Sequence, residues 1–225
     1  MKRDFRVEIL HRDEQVVVVD KPSGLAVHRG WATDKVKAMS ITRNKTRRHV
    51  YPVHRLDRGT SGVLVLAFDA ETAAILSESL RGRAVDKRYL ALVRGVTPEA
   101  GRIEHPVPRS PKGPRVDAVS SFVRLAVALD RYSLVEVRPE TGRLHQIRRH
   151  MKHLAHPLIG DTRYGDGREN RKLREGYGLH RLALHARSIA FEHPRSGARV
   201  EVSAPMPDDL RVPLERMGFS LDLGF

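Results

Sequence analysis

The sequence predicts an α+β chain built on a largely antiparallel, mixed central sheet flanked by helices and loops. Short runs of β-favouring residues outnumber the helical stretches, the two kinds do not alternate strictly as a parallel sheet would require, and Gly- and Pro-rich turn signals separate them. At 225 residues, 40% of them hydrophobic, the chain can bury one good core or two small ones. No internal repeat or low-complexity tract divides it, so residues 1–225 are expected to form a single catalytic-sized domain.

Val7 to Leu10 and Gln15 to Val19 read as short strands, closed by a turn at Lys21-Pro22-Ser23-Gly24. Val36 to His49 follows with Lys37, Arg43, Lys45, Arg47 and Arg48, and Lys35 precedes it. No acid interrupts this stretch after Asp34, so it is a basic helix or a basic loop, and either a solvated face or a phosphate-facing one. Val63 to Phe68 is an unbroken apolar run of strand length, as a strand buried on both faces requires. Asp69 can cap a helix through Leu80, and Lys87 to Val93 reads as the next strand.

Pro98, Pro106, Pro108, Pro111 and Pro114 mark loops and strand edges, which predicts a mobile excursion and not a domain boundary. Val119 to Ala128 and Tyr132 to Val137 form two strands around a turn near Asp130-Arg131, and a helix opens after Thr141-Gly142. Ser188 to Glu192 and Arg199 to Ser203 make a closing hairpin around Pro194-Arg195-Ser196-Gly197.

With 41 Lys and Arg against 27 Asp and Glu, the formal charge is +14, which implies a polyanionic partner. No apolar run approaches the roughly 20 residues of a spanning helix, and the first residues carry no signal-peptide core, so nucleic acid is favoured over membrane. The absence of cysteine excludes disulfides, thiol nucleophiles and thiolate zinc sites, and a cytoplasmic setting is expected.

Between Arg143 and Ala155 the residues Leu144, Ile147, Met151 and Leu154 recur at helical spacing and predict the core-facing stripe. Arg148 falls beside that stripe. An arginine there either reaches to water over its apolar neighbours or is paired with a buried carboxylate or a phosphate. Asp57 opens an Asp-Arg-Gly turn and, by residue type, suits a local turn role; its place before an all-apolar strand also suits a fixed but reachable carboxylate. His145, His150, His153 and His156 raise a metal reading. No His-Glu-x-x-His pattern is present and Lys and Arg are interleaved, so no metal is expected, and phosphate contacts or packing are favoured. Strand alternation puts Lys87, Tyr89 and Ala91 on one face, where Tyr89 serves as a core or rim aromatic or as a platform for a nucleobase.

Together these segments resemble the RluA-type family of RNA pseudouridine synthases over nearly the whole chain. Lys21 to Leu25 with Val27-His28 resembles the N-terminal signature, and His54 to Ala67 the stretch that holds the catalytic aspartate, here Asp57. Lys87-Arg88-Tyr89 resembles the Lys-x-Tyr motif whose tyrosine contacts the base, and Thr141 to Arg148 the motif whose arginine pairs with the aspartate. His156 to Asp161 and Leu182 to Ala186 complete the pattern. Within the family, His28 to Trp31, Arg148-Arg149-His150 and Gly165 to Arg171 lean toward the tRNA pseudouridine-65 synthase (TruC) subfamily, although the segment between Asp117 and Tyr132 is shorter than is usual there.

The resemblance implies a pseudouridine synthase fold with its active-site cleft across the sheet, no appended S4 domain, and isomerisation of a uridine in RNA, with tRNA uridine 65 the expected target. It implies catalytic roles for Asp57, Arg148 and Tyr89, and substrate contacts from Arg55, His54, Lys87, Arg149 and Leu184. Product and substrate are isomers, so no cofactor is expected. The aspartate acts as nucleophile or as base, and both uses need its ionised form. The uridine must be extruded from stacked RNA, and Arg55 is the candidate to fill the gap or grip the flipped nucleotide. A ribosomal RNA target is the alternative within this chemistry, and a non-catalytic RNA-binding module the alternative outside it. Hydrolysis is disfavoured because no second acid is placed with Asp57. A monomer is expected.

Overall fold

The computed structural model describes residues 5–28, 36–82, 85–110 and 113–221. Along the chain these form β1 (Glu8–Arg12), β2 (Val16–Lys21), α1 (Ala38–Thr46), β3 (Tyr51–Pro52), β4 (Ser61–Ala67), α2 (Ala70–Arg81) and β5 (Asp86–Arg94). Then come β6 (Ala100–Glu104), β7 (Val107–Pro108), β8 (Arg115–Val116), β9 (Val119–Ala128), β10 (Tyr132–Pro139), α3 (Gln146–His153), α4 (Gly167–Tyr177), β11 (Leu184–Glu192), β12 (Arg199–Ser203) and α5 (Asp208–Arg216). The chain divides into two compact units, Met1–Lys87 with Ala186–Pro205, and Arg88–His185 with Met206–Phe225.

In the first unit β1, β2 and β4 lie side by side, β3 joins the end of β4, and β11 pairs with β12, every pairing antiparallel. All seven residues of β4 are buried, as the unbroken apolar run requires. Helix α2 begins where Asp69 accepts hydrogen bonds from the Thr72 amide (2.7 Å) and hydroxyl (2.8 Å), so two donors at the helix mouth are satisfied by one carboxylate. Its Ala73, Leu76 and Leu80 pack with Val16, Val18, Val63 and Val65 into one cluster, where each fully buried Leu or Val contributes about 1.5–3 kcal/mol. The basic segment resolves as helix α1, ended by Arg47 in the left-handed conformation. Two of its cations are engaged locally: Lys45 Nζ donates to the Val7 carbonyl (3.1 Å), and Arg48 stacks over the Phe68 ring at 4.0 Å. Lys35 and residues 29–31 of the subfamily signature lie outside the described residues.

In the second unit the strand order is β5-β10-β9-β6, again antiparallel throughout. Both faces of β5 and β10 are covered. Leu92, Tyr132 and Leu134 meet Leu173 of α4 and Leu210 and Leu214 of α5, while Ala91, Val93, Val135 and Val137 meet Ile147 and Met151 of α3.

Around the prolines the chain runs through loops and strand edges as expected, with Pro98, Pro106 and Pro114 outside strands and Pro108 in the short β7, and the described residues between them also pair: β6 with β9 through a buried Ile103, and β7 with β8 through a buried Val107. One sequence expectation is corrected. Helix α3 starts at Gln146 and not directly after Gly142, because His145 adopts φ 52°. The Gln146 amide then holds the incoming loop, accepting from Thr141 Oγ1 (2.7 Å) and the Arg143 amide (3.0 Å) and donating to Val119 O and Ser120 Oγ (both 2.9 Å). Helices α4 and α5 were not anticipated; the first is overwhelmingly polar and the second carries Pro213 inside it.

Candidate active site

Asp57 sits on the turn that leads into β4, partly buried between the exposed Arg55 and Arg58. The Thr60 amide closes the turn on the Asp57 carbonyl at 3.0 Å. A second loop grips it from behind. The Gly24 amide donates to the Arg58 carbonyl (2.8 Å), Arg58 Nε donates back to the Gly24 carbonyl (2.9 Å), and Ser23 Oγ donates to the Gly59 carbonyl (2.8 Å). Beneath both loops the fully buried Lys21 ammonium donates to the carbonyls of Leu25 (2.8 Å), Pro22 (2.9 Å) and Arg58 (3.3 Å). An ammonium has three protons to give, and these carbonyls compensate it where water cannot reach. The Lys21 to Leu25 segment therefore does more than turn the chain: it fixes the backbone that immediately follows the aspartate. Gly62 completes the frame at φ 106°, where a Cβ would stand 2.0 Å from the Ala186 carbonyl oxygen.

His54 braces the same turn. Its Nε2 lies 3.0 Å from the Val65 amide of β4, and an amide can only donate, so Nε2 must hold a lone pair and the ring must be neutral. The electrostatics agree: desolvation, then the nearby Lys87 charge, lower the imidazole pKa to about 4 against an opposing pull from the Arg55 carbonyl. Lys87 itself is buried, with its ammonium directed at the Leu80 carbonyl in the last turn of α2 (3.4 Å) and its pKa lowered by desolvation. A cation at a helix C-terminus is favourably placed.

In the second unit Arg148, on α3, is held by a carboxylate. Its Nε meets Asp161 Oδ2 at 2.7 Å and its Nη2 meets Oδ1 at 2.8 Å, a two-pronged pair in which the Asp161 side chain is fully buried. Asp161 Oδ1 also accepts the amides of Arg163 (2.9 Å) and Tyr164 (3.0 Å). Burial alone would raise this carboxyl, but the Arg148 and amide hydrogen bonds outweigh it and hold the group below the usual carboxylate range. The compensation that the helical stripe demanded for Arg148 thus includes an acid thirteen residues further along the chain.

Tyr164 stands over the same helix. The guanidinium carbons of Arg148, Arg149 and Arg163 lie 5.1, 5.5 and 5.5 Å from its ring centroid, its hydroxyl accepts from Arg149 Nε (2.9 Å), and His145 Nδ1 lies 3.1 Å away. Tyr89 lies on β5, partly buried, on the strand face that carries Ala91 and packs toward α3. Leu184 is in the same cluster, 4% exposed, and its carbonyl accepts from Arg181 Nη2 at 3.1 Å.

The four clustered histidines do not converge on a common point. His145 meets Tyr164, His150 meets Ser120 Oγ and the His105 carbonyl (both 3.0 Å), His153 stacks on His105 at 3.7 Å, and His156 meets the Arg94 carbonyl at 2.9 Å. Among the described residues no group of three His, Cys, Asp or Glu is arranged to hold a metal ion.

The residue reading had overlooked Lys21 and Ser23 as supports of the Asp57 turn, and Asp161 and Tyr164 as supports of the α3 arginines. Asp161 carried a usable signal: a buried carboxylate was one of the partners open to Arg148, and Asp161 lies just beyond the apolar Leu158-Ile159. Among the described residues no helix is long and apolar enough to cross a membrane.

Comparison with known proteins shows the family and the fold. Residues 15–153 match the family described as RNA pseudouridylate synthase. The chain is 41% identical to the tRNA pseudouridine synthase C of Haemophilus ducreyi, over 96% of this chain and 97% of the relative. It is 40% identical to the protein of that name in Pasteurella multocida (88% and 90%) and 38% identical to that of Yersinia pestis (95% and 92%). The solved structure titled Human RNA Pseudouridylate Synthase Domain Containing 4 superposes with a TM-score of 0.78 at 28% identity, covering 95% of this chain and 94% of the other. Human RNA Pseudouridylate Synthase Domain Containing 1 gives 0.76 at 26% identity, covering 93% and 89%. The fold is therefore the α+β pseudouridine synthase fold that the motifs implied, the enzyme is an isomerase, and the chain belongs to the RNA pseudouridylate synthase family.

Proposed function

We propose that the chain converts a uridine of tRNA to pseudouridine, at position 65, with Asp57 as the catalytic carboxylate. The observation that carries the substrate is the near full-length similarity to relatives named tRNA pseudouridine synthase C, at 36–41% identity. Similarity over 97% of the Haemophilus ducreyi relative also supports reading residues 1–225 as one catalytic domain, and a tRNA substrate supports a cytoplasmic site of action.

The reaction breaks the uracil N1–C1′ bond and rejoins the base through C5. An ionised carboxylate attacks the sugar or takes a proton from it. Support for Asp57 comes from its turn, whose flanking backbone is fixed by hydrogen bonds from Ser23, Gly24 and Lys21. Pre-positioned groups of this kind lose little freedom on reaching the reactive geometry. The resemblance implies that Arg148 and Tyr89 serve the same reaction, Tyr89 by contacting the base. The exposed Arg55, two residues before Asp57, fills the stack that the flipped uridine leaves or grips the extruded nucleotide.

The test is position mapping. Unmodified tRNA transcripts and ribosomal RNA are incubated with the purified protein and sequenced for pseudouridine. Modification confined to tRNA position 65 is expected; modification of ribosomal RNA alone would redirect the substrate, and none in either would remove it.

A further inference from the structure

We propose that Tyr164 gathers Arg149 and Arg163 into a binding site for one phosphate of the RNA backbone. Three guanidinium groups crowd one half-buried ring, and the local carboxylate accounts for one of them. Asp161 spends its side chain on Arg148 and on the amides of Arg163 and Tyr164. Among the described residues the hydrogen-bond partners of Arg149 are neutral: its Nε donates to the Tyr164 hydroxyl (2.9 Å) and its Nη1 to the Pro108 carbonyl (3.2 Å). Arg163 is exposed, and among the described residues neither it nor Arg149 has an acidic partner within ion-pair distance.

Like charges brought together on one ring repel, and cation–π contacts offset this repulsion. The arrangement is stable in a folded chain because the neutral hydroxyl and carbonyl anchor Arg149, while Asp161 fixes the backbone that carries Arg163 and Tyr164. What it leaves open is the demand for an anion. A phosphodiester matches that demand, because a guanidinium presents paired donors to two phosphate oxygens, and a chain of charge +14 acting on RNA meets such groups first. Arg163 would close on the phosphate from the solvent side and Arg149 from α3, with Tyr164 setting their spacing. The site adds grip and register, without reading the base.

This rests on RNA as the ligand, which the family establishes, and deepens the proposed tRNA reading. The experiment is equilibrium binding of a labelled, unmodified tRNA transcript to the full chain at several salt concentrations, with wild type, R163A and R149A/R163A. Loss of one phosphate contact makes the log–log salt dependence shallower by about 1 and weakens binding about fivefold at 0.15 M salt. Arg163 is exposed, so R163A reports on the site without threatening the fold, and its expected loss is a part of that of the double variant. R163K should recover most of the slope. Unchanged affinity and slope in R149A/R163A would overturn the proposal. If the wild type isomerises tRNA while that variant binds normally, the phosphate site falls and the function stands. If the wild type fails to isomerise tRNA but the variant shows the shallower slope, the tRNA function falls and the phosphate site stands.

Discussion

Asp161 holds Arg148 along one edge of its guanidinium, Nε to Oδ2 at 2.7 Å and Nη2 to Oδ1 at 2.8 Å, with the carboxylate sealed from solvent and the arginine side chain 11% exposed. Removing one member of such a pair leaves the other charge buried and undercompensated. Asp161→Ala is therefore expected to cost about 3–5 kcal/mol of folding stability, read as a lowered urea midpoint, and to depress activity with it. A loss under 1 kcal/mol would show that the pair is not what positions Arg148. The sign of its pH dependence is fixed by the lowered carboxyl: the stabilisation is present above the ordinary aspartate pKa and is lost as pH falls through the lower folded value.

His54 gives a dependence in a different pH window. Its folded pKa of about 4 lies below the ordinary histidine value of 6.5, so the unfolded chain binds a proton there before the folded one does. Stability is unaffected above about pH 6.5 and declines as pH falls toward 4, with a slope of at most about 1.4 kcal/mol per pH unit. Urea unfolding between pH 7.5 and 4.5 should show this decline in the wild type and a flatter one in His54→Gln. His54→Phe leaves the Val65 amide without its acceptor and is expected to lose about 1–3 kcal/mol at neutral pH. Identical pH profiles for wild type and His54→Gln would remove the neutral-ring account.

Two glycines separate necessity from tolerance. At Gly62, Ala would bring Cβ to 2.0 Å from the Ala186 carbonyl oxygen at φ 106°, so Gly62→Ala is expected to give no stable folded protein. At Gly142 nothing lies within 4 Å of the added carbon, and Gly142→Ala should change stability by about 0.5 kcal/mol or less. Far-UV circular dichroism with thermal melts checks both; a folded Gly62→Ala with an unchanged melting temperature would contradict the close approach.

Parts of this structure were legible in the sequence because their signal is local. The run Val63 to Phe68 and the Asp69 cap announce β4 and α2 from side chains alone, and the alternation along β5 places Tyr89 with Ala91 on the face toward α3. Helix α4 escaped because Leu173 is its only buried apolar residue and its stability draws on the Asp166 cap and the buried Glu169, which accepts from the Tyr132 hydroxyl at 2.6 Å. Helix α5 escaped because Pro213, a helix breaker by reputation, sits within it. The grip of the Lys21 to Leu25 loop on Arg58 and Gly59 spans more than thirty residues, much of it through backbone groups, which no side-chain pattern records. Asp57 itself was identifiable only through the surrounding motif; by residue type it was a turn former.

The most direct test of the central claim is release of tritium from C5-labelled uridine in tRNA. The wild type, with no added metal or nucleotide, should release the label, and Asp57→Ala should bind the same RNA yet release none. Release by Asp57→Ala within tenfold of the wild-type rate would contradict the assignment of Asp57 as the catalytic carboxylate.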